Sequence, residues 1–577
     1  MFSLSCTKRN LKRAEIPILS FLCTCSFRFF FYSEPNLIWV ILFFLLFLFF
    51  QRFYAEKALK PVKIASAILS ILYSILIALD HELRVNGLFT FSLRTAACSV
   101  GMAVFFFYSL SWLLSVLLRK PTFTSFKSGN SRACLLPLAG FILLFWLPYL
   151  LASFPGNVNS DAIGEIRQQI GLSPLSNHHP IIHQFLIRIC LSIGSLFGGL
   201  EAGVAVYSIL QMAVMAILFA LCICFLAENG ASIGIQICAF LFYALYPING
   251  FYSVTMYKDV PFAGAVLLIM ILLIRELREE KSSVKNRGRI ISLILLFFFF
   301  CTVRNNGYYA FLVGFPLLML CCSRQAKRLL IIFLSVLLLV AGYRYVIFDV
   351  AGAARSASGE ALSLPLQMLA RVVSMDNPDL EESDFQILGE VIPDYSILAN
   401  NYIPDNSDPI KDPRVFLSGS FSASPFKYMK SWIRIGLHYP RTYLDAFLLH
   451  TRGYWSPNIR SSTITAEIYQ PNGLNLTQNT IFAPLRYSLI SLYDSISLMS
   501  VLSVFFSMGF FVILYLFSAA LLALKKQFPV LYPMLICFAL WLTVIAGPIT
   551  AFHYFYALAT ALPLFLGLAI SLRPRGV

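Results

Sequence analysis

Along most of this chain the apolar residues come in unbroken blocks, not in alternation with polar ones. Blocks of roughly 17–25 apolar residues fit helices that cross a ~30 Å hydrocarbon core, whereas a membrane β-barrel would alternate with period two. The blocks lie at about 14–32, 36–51, 62–79, 96–118, 134–154, 203–227, 232–248, 260–276, 290–303, 308–322, 328–348, 498–523, 529–547 and 556–572. They predict an all-α polytopic membrane protein of about 14 transmembrane helices. The blocks at 290–303 and 308–322 are short for a crossing. One long polar stretch, 349–497, is rich in Pro, Asn and Asp and has helix-like pieces at 362–373 and 427–450. It reads as a small α-rich outer-face domain inserted before the last three spans. The expected organisation is a four-span N-terminal extension (1–133), a transmembrane core (134–348) with an outer loop at 155–202, the extracytoplasmic domain (349–497) and a three-span C-terminal segment (498–577).

Composition agrees with many spans: 58% of the chain is hydrophobic and 12% charged, against about a quarter charged in soluble domains. The net charge of +16 would suit a nucleic-acid binder, but the cations sit in short loops between apolar blocks. Arg119, Lys120, Lys127 and Arg132 form one such loop, and Arg278, Lys281, Lys285, Arg287 and Arg289 another. Arg324, Lys327 and Arg328, then Lys525 and Lys526, then Arg573 and Arg575 complete the set. This is a positive-inside bias and leaves no nucleic-acid partner. It places the chain in the plasma membrane with both termini cytoplasmic, on condition that 181–200 does not cross. Lys8, Arg9, Lys12 and Arg13 precede the first block, which reads as a retained signal-anchor span. Nearly all of the thirteen cysteines lie in apolar blocks, as packing residues do.

With that topology three short segments and the long domain face outward, and each short segment carries polar residues. The first holds Asn157, Asn159, Ser160 and Asp161, then His178, His179, Pro180 and His183. The second runs from Tyr246 to Lys258 and Asp259, and the third is Arg304-Asn305-Asn306-Gly307. Charges at membrane depth default to functional sites, although at span ends their cost shrinks by snorkelling. Asp161 has the chemistry of a general base for an acceptor hydroxyl; it equally suits a helix start, since Asn159-Ser160-Asp161 precedes an apolar run. A divalent cation is also possible there, but no ligand set accompanies it, so no cofactor is certain and no metal ligand is assigned. His179 and His183 are spaced as on one helix face, without the Glu of a zinc-binding H-E-x-x-H. Lys258 and Arg304 offer an ammonium and a planar fork for a phosphate, with Asp259 placed to orient Lys258 and Asn305 and Asn306 adding donors. Headgroup snorkelling explains the same two cations.

The order of these motifs resembles a bacterial multi-pass family of unknown function related to the GT-C superfamily of glycosyltransferases, which use polyprenyl-phosphate-linked sugars. The resemblance spans about 134–570 and includes Pro365-Leu366-Gln367, Ala370-Arg371, Trp432, His438-Tyr439-Pro440, Tyr443 and Gly453-Tyr454-Trp455-Ser456-Pro457. It implies a catalytic acid in the first large outer loop, which here is Asp161, and a helix in that loop lying along the membrane. Many GT-C enzymes pair two acids; here Ser160 precedes Asp161.

The expected activity is transfer of a sugar from a polyprenyl-phosphate donor to a cell-envelope glycan, lipid or protein on the outer face. Asp161 would be catalytic, while His178, His179, Lys258, Asp259, Arg304, Asn305 and Asn306 bind substrate. Tyr454 and Trp455 would stack on sugar or rest at the membrane interface. The alternative is a transporter or flippase of a lipid-linked or anionic precursor, which would carry inverted repeats and broken helices with mid-membrane charges. A non-catalytic scaffold would need no convergence of Asp161, Lys258 and Arg304.

Overall fold

In the computed structural model the described residues are all but 1, 32–36, 55–57, 91, 120–130, 280–283, 376–379, 461–463, 500–501 and 576–577. Lys120, Lys127 and Lys281 of the basic loops lie outside them, as do the side chains of Lys8, Arg9, Lys12, Arg13, Arg132 and Lys285. Among the described residues the chain is helical, with isolated bridges and no strand.

Among the described residues each apolar block falls largely on a helix or a pair of helices, and the block at 498–523 is α-helical from Met508. A backbone in lipid must satisfy its own hydrogen bonds, and these long Leu-, Ile- and Phe-rich blocks do so by coiling. The N-terminal part comprises α1 (Phe2–Phe30), α2 (Leu37–Phe53), α3 (Lys60–Asn86) and α4 (Leu93–Leu118). The core follows with α5 (Leu135–Ser153), α6 (Ser160–Gln169), α7 (Ile181–Gly194), α8 (Leu200–Glu228), α9 (Ile233–Leu245) and α10 (Pro247–Ser253). Next are α11 (Asp259–Arg278), α12 (Val284–Val303), α13 (Asn305–Cys321) and α14 (Ala326–Tyr345). Both blocks that looked short, at 290–303 and 308–322, belong to longer helices, α12 and α13, that turn sharply at Arg304. Among the described residues eight helices are long and apolar enough to cross a membrane, or nine if α9 and α10, bent by 52°, count as one span. The chain is thus a multi-pass membrane protein.

The polar stretch folds into α15 (Ser363–Val373), α16 (Glu382–Gly389), α17 (Tyr395–Asn400), α18 (Ser418–Ala423), α19 (Pro425–His438) and α20 (Pro440–Thr451). These helices share a separate core that includes Leu366, Leu369, Leu388, Ile392, Phe416 and Ile435. The second half of the stretch is irregular and returns to the core: Tyr469 donates its backbone N–H to Val158 (2.8 Å), and Asn479 to Phe154 (2.9 Å). The chain ends with α21 (Ala483–Leu498), α22 (Met508–Leu524), α23 (Phe528–Leu531), α24 (Met534–Ile545) and α25 (Phe552–Ser571).

Two packing details hold the outer loop and the N-terminal helices in place. α7 rests directly on α8, because a Cβ at Gly194 would come within 2.1 Å of the Gly203 backbone. Only glycine permits that approach. The other face of α7 leaves Phe185, Ile189 and Ile193 exposed together with Arg188 and Ser192, while His183, Gln184, Ile187 and Leu191 are buried. At 14 residues α7 is about 21 Å long at 1.5 Å per residue, short of a full crossing.

The N-terminal helices are tied to the rest through Asp80 of α3, which is fully buried. Its carboxylate accepts from Arg452 Nε (2.8 Å), Ser456 Oγ (2.6 Å) and Asn458 Nδ2 (2.8 Å). Asp80→Ala leaves Arg452 without its carboxylate, and loss of one member of a buried pair costs about 3 kcal/mol. Reversible unfolding in mixed micelles should read that loss; a stability equal to wild type would mean the N-terminal helices are not held here.

The same region corrects one expectation. Tyr454 and Trp455 are not available to stack on a sugar. Tyr454 is 1% exposed and donates its hydroxyl to Ile549 O (2.8 Å), while Trp455 Nε1 donates to Thr451 Oγ1 (3.0 Å). Gly509 lets α22 press against the backbone of Trp455 and Ser456, so the pair is packing between elements.

Candidate functional site

The outer loop begins at 155 as a strand-like crossing. Asn157 N donates to Val254 O and Met256 N donates to Asn157 O, both at 2.9 Å, which fixes 155–159 beside 254–258. α6 then starts, and its N-cap is Asn159, whose Oδ1 accepts from Ala162 N at 2.9 Å. Asp161, in the first turn, is therefore not spent as the cap. Four residues on, Glu165 projects from the same face. The rest of the loop is held by Gln184 of α7, which donates to Ser176 O (2.9 Å) and His179 O (2.8 Å).

Residues far apart in sequence meet here. Lys258 Nζ lies 3.2 Å from Asp161 Oδ2 and 3.1 Å from His179 Nδ1. His179 Nδ1 lies 3.7 Å from Asp161 Oδ2 and 3.9 Å from Glu165 Oε1. The Asp161 side chain is 49% exposed, against 12% for His179 and 16% for Lys258, so the carboxylate is the open edge of the cluster. The cleft it borders is also lined by Tyr257, His553 and Tyr554. The Tyr257 ring stacks on His553 with centroids 5.3 Å apart, and its hydroxyl meets Thr465 Oγ1 at 2.5 Å.

Partial burial pushes the Asp161 carboxyl up, but the Lys258 ammonium and His179 outweigh it and bring it down to about 2. Burial and Lys258 push His179 down to about 4, against the pull of Asp161 and Glu165. At neutral pH the site therefore holds a carboxylate and a neutral imidazole.

The other sequence candidates divide. Asp259 does not pair with Lys258: its carboxylate is paired with the Arg304 guanidinium, which lies 4.7 Å from the Tyr554 ring centroid and 5.9 Å from that of Phe262. Arg304 thus joins the cluster through the residue next to Lys258, but as a buried strut, not an open fork. Asn305 is exposed at the start of α13, and Asn306 Nδ2 points to Thr543 O at 3.4 Å; neither lines the cleft. His178 is exposed and meets His179 edge-on, with centroids 4.5 Å apart. His179 and His183 do not share a helix face, because α7 begins only at Ile181. Among the described residues no three His, Cys, Asp or Glu side chains converge as a metal's ligand set.

Sequence reasoning passed over Glu165, Tyr207, His553 and Tyr554. The spacing of Asp161 and Glu165 by four was a signal for the first. A His-Tyr pair at the start of the last apolar block was a signal for His553 and Tyr554.

The model of a family of unknown function, DUF6020, matches residues 171–573, more than two thirds of the chain. No curated protein and no solved structure matches. The match takes in His178, His179, Lys258, Asp259 and Arg304 and starts ten residues after Asp161.

Proposed function

The chain belongs to the DUF6020 family of unknown function, and we propose that it is a membrane glycosyltransferase moving a sugar from a polyprenyl-phosphate-linked donor to a cell-envelope acceptor. The observation that carries this reading is the meeting of Asp161, His179 and Lys258, from three separate segments, within 4 Å at the edge of one cleft. Lys258 supplies the positive charge for the donor's phosphate and for the charge that develops as it leaves. Asp161 orients the acceptor hydroxyl. The Arg304–Asp259 pair is the floor that fixes Lys258. The resemblance to GT-C enzymes supplies the donor class, and α7, too short to cross and with Phe185, Ile189 and Ile193 beside Arg188 on its exposed face, fits a helix lying along the outer surface. The topology that goes with this reading has fourteen spans in the plasma membrane, both termini cytoplasmic, and residues 349–497 outside.

Transport of the same lipid-linked precursor draws support from one feature, the 52° bend between α9 and α10, since transporters break helices at their sites. A single assay separates the two. Purified protein in liposomes is given labelled sugar on polyprenyl phosphate and an acceptor extract. Wild type should transfer label, and Lys258→Met should transfer at least about 100-fold less, the usual effect of losing one charge-stabilising donor. Equal transfer by both removes Lys258 from the mechanism. Label moved across the bilayer with none transferred supports transport and defeats the enzyme reading.

A further inference from the structure

Glu165, His183 and Tyr207 stand behind the cleft, and binding an anion requires none of them. Glu165 and His183 are 1% and 0% exposed, in a shell that includes Ile166, Ile187, Leu191 and Val204. A buried polar pair gains little over apolar side chains of similar size, so its place beside a site points to use. His183 donates its Nδ1–H to Glu165 Oε2, and its other ring nitrogen meets the Tyr207 hydroxyl at 2.8 Å. One carboxylate oxygen is thereby fixed, and the other, Oε1, is left 3.9 Å from His179 Nδ1.

That nitrogen has three polar neighbours: Lys258 Nζ at 3.1 Å, Asp161 Oδ2 at 3.7 Å and Glu165 Oε1 at 3.9 Å. Only the lysine can donate to it. The resting ring therefore accepts from Lys258 and carries its own proton on Nε2. Without the lysine, Nδ1 would face two carboxylates and no donor, a setting that favours the imidazolium.

We propose that His179 is the proton-accepting residue of this site and that Lys258 gates it. When a phosphate draws the ammonium away, Nδ1 is left to Asp161 and Glu165 and takes up a proton. Glu165, locked by His183 and Tyr207, is the positioning residue. The proposal rests on the glycosyl-transfer reading only for the identity of the phosphate. In that reaction the acceptor's O–H proton passes to His179 Nδ1 and the acceptor oxygen bonds to the sugar's anomeric carbon. The polyprenyl phosphate leaves with the electron pair of the broken C–O bond, and Lys258 meets its charge. A carboxyl's ordinary value lies below an imidazole's, so with Lys258 drawn away the ring between two carboxylates, not Asp161, keeps that proton.

The groups that face His179 are Asp161 and Glu165 from α6, Lys258 at the start of α11 and His178 in its own loop. His183 acts through Glu165 from α7, and His553 lines the cleft from α25. The test is nitrogen-15 histidine NMR of the full chain in lipid nanodiscs, with His179 identified by its absence in His179→Gln. In wild type the ring should titrate near 4. Lys258→Met should raise the midpoint by about two pH units, and adding Glu165→Gln should take back about one, the range for a charge within 4–6 Å. Sugar-free polyprenyl phosphate should raise the wild-type midpoint, with inorganic phosphate as the control for a bare anion. That arm needs no variant beyond the one that assigns the signal. An unmoved midpoint in Lys258→Met, or with polyprenyl phosphate and inorganic phosphate alike, overturns the gate. Equal midpoints with and without Glu165→Gln overturn the positioning role. A midpoint that rises while no donor gives transfer leaves the gate and defeats the glycosyl-transfer reading; transfer with a fixed midpoint does the reverse.

Discussion

Asp161→Asn is expected to lower sugar transfer about 100-fold, the scale on which misplaced reacting groups slow a reaction, while the protein stays folded. The fold survives because the side chain is 49% exposed and does not cap its helix; Asn159 does that. Activity fails because the amide keeps the shape but not the charge. Lys258 and His179 lose the carboxylate that sets their spacing, and the acceptor hydroxyl loses its anionic partner. The pH dependence has a fixed sign. Lys258 and His179 bring the folded-state carboxyl down to about 2, against the upward push of partial burial. Its contribution to stability is therefore present above the ordinary carboxylate range and is lost as the pH falls through about 2. Between pH 5 and 8 Asp161 does not titrate, so an acid limb there belongs to another group. The measurement is kcat in proteoliposomes at saturating donor, beside a thermal unfolding curve. Unchanged kcat with unchanged stability would take Asp161 out of the mechanism.

The sequence made the helices legible and left the pairings hidden. An apolar block about as long as a bilayer is thick has few options, so the blocks drawn from composition fall on helices, and even the two short ones erred only in length. The helix start at Asn159-Ser160-Asp161 was legible too, and it proves compatible with a role for Asp161, because a different residue is the cap. Which cation meets which acid was not legible. Asp259 adjoins Lys258 in sequence, yet it pairs with Arg304, forty-five positions away, because the turn between α12 and α13 brings Arg304 over the first turn of α11. Local spacing carries no record of that crossing. Glu165 was half visible, since its spacing from Asp161 puts both on one helix face, but an acid in an amphipathic stretch looks the same whether water or His183 faces it. Tyr454 and Trp455 misled because aromatics near span ends read as interfacial; only the close approach of Gly509 reveals that they are enclosed.

Arg304→Met should destabilise the protein by about 3–5 kcal/mol, the cost of leaving one member of a buried ion pair alone. The Asp259 side chain is 2% exposed and that of Arg304 8%. Asp259 is the first residue of α11, where the helix dipole favours a negative charge, but that is worth only about 0.3–1 kcal/mol at exposed sites. It does not replace the guanidinium. The ring faces of Tyr554 and Phe262 beside Arg304 add a cation–π contribution that methionine forfeits. Asp259→Asn in the same chain removes the stranded charge, so the double variant should recover much of the stability. The pair is also the floor beneath Lys258, which separates two kinds of loss. If the floor only holds the fold, the double variant recovers stability and transfer together. If it also sets the height of the Lys258 ammonium in the cleft, stability returns while the KM for the lipid-linked donor stays raised. The second outcome is expected, because Lys258 immediately precedes Asp259 and shares its backbone turn. Denaturant titration in mixed micelles measures the first quantity and the proteoliposome assay the second. Equal stability of the wild type and the single variant would mean that water reaches Asp259 and that the floor is not dry.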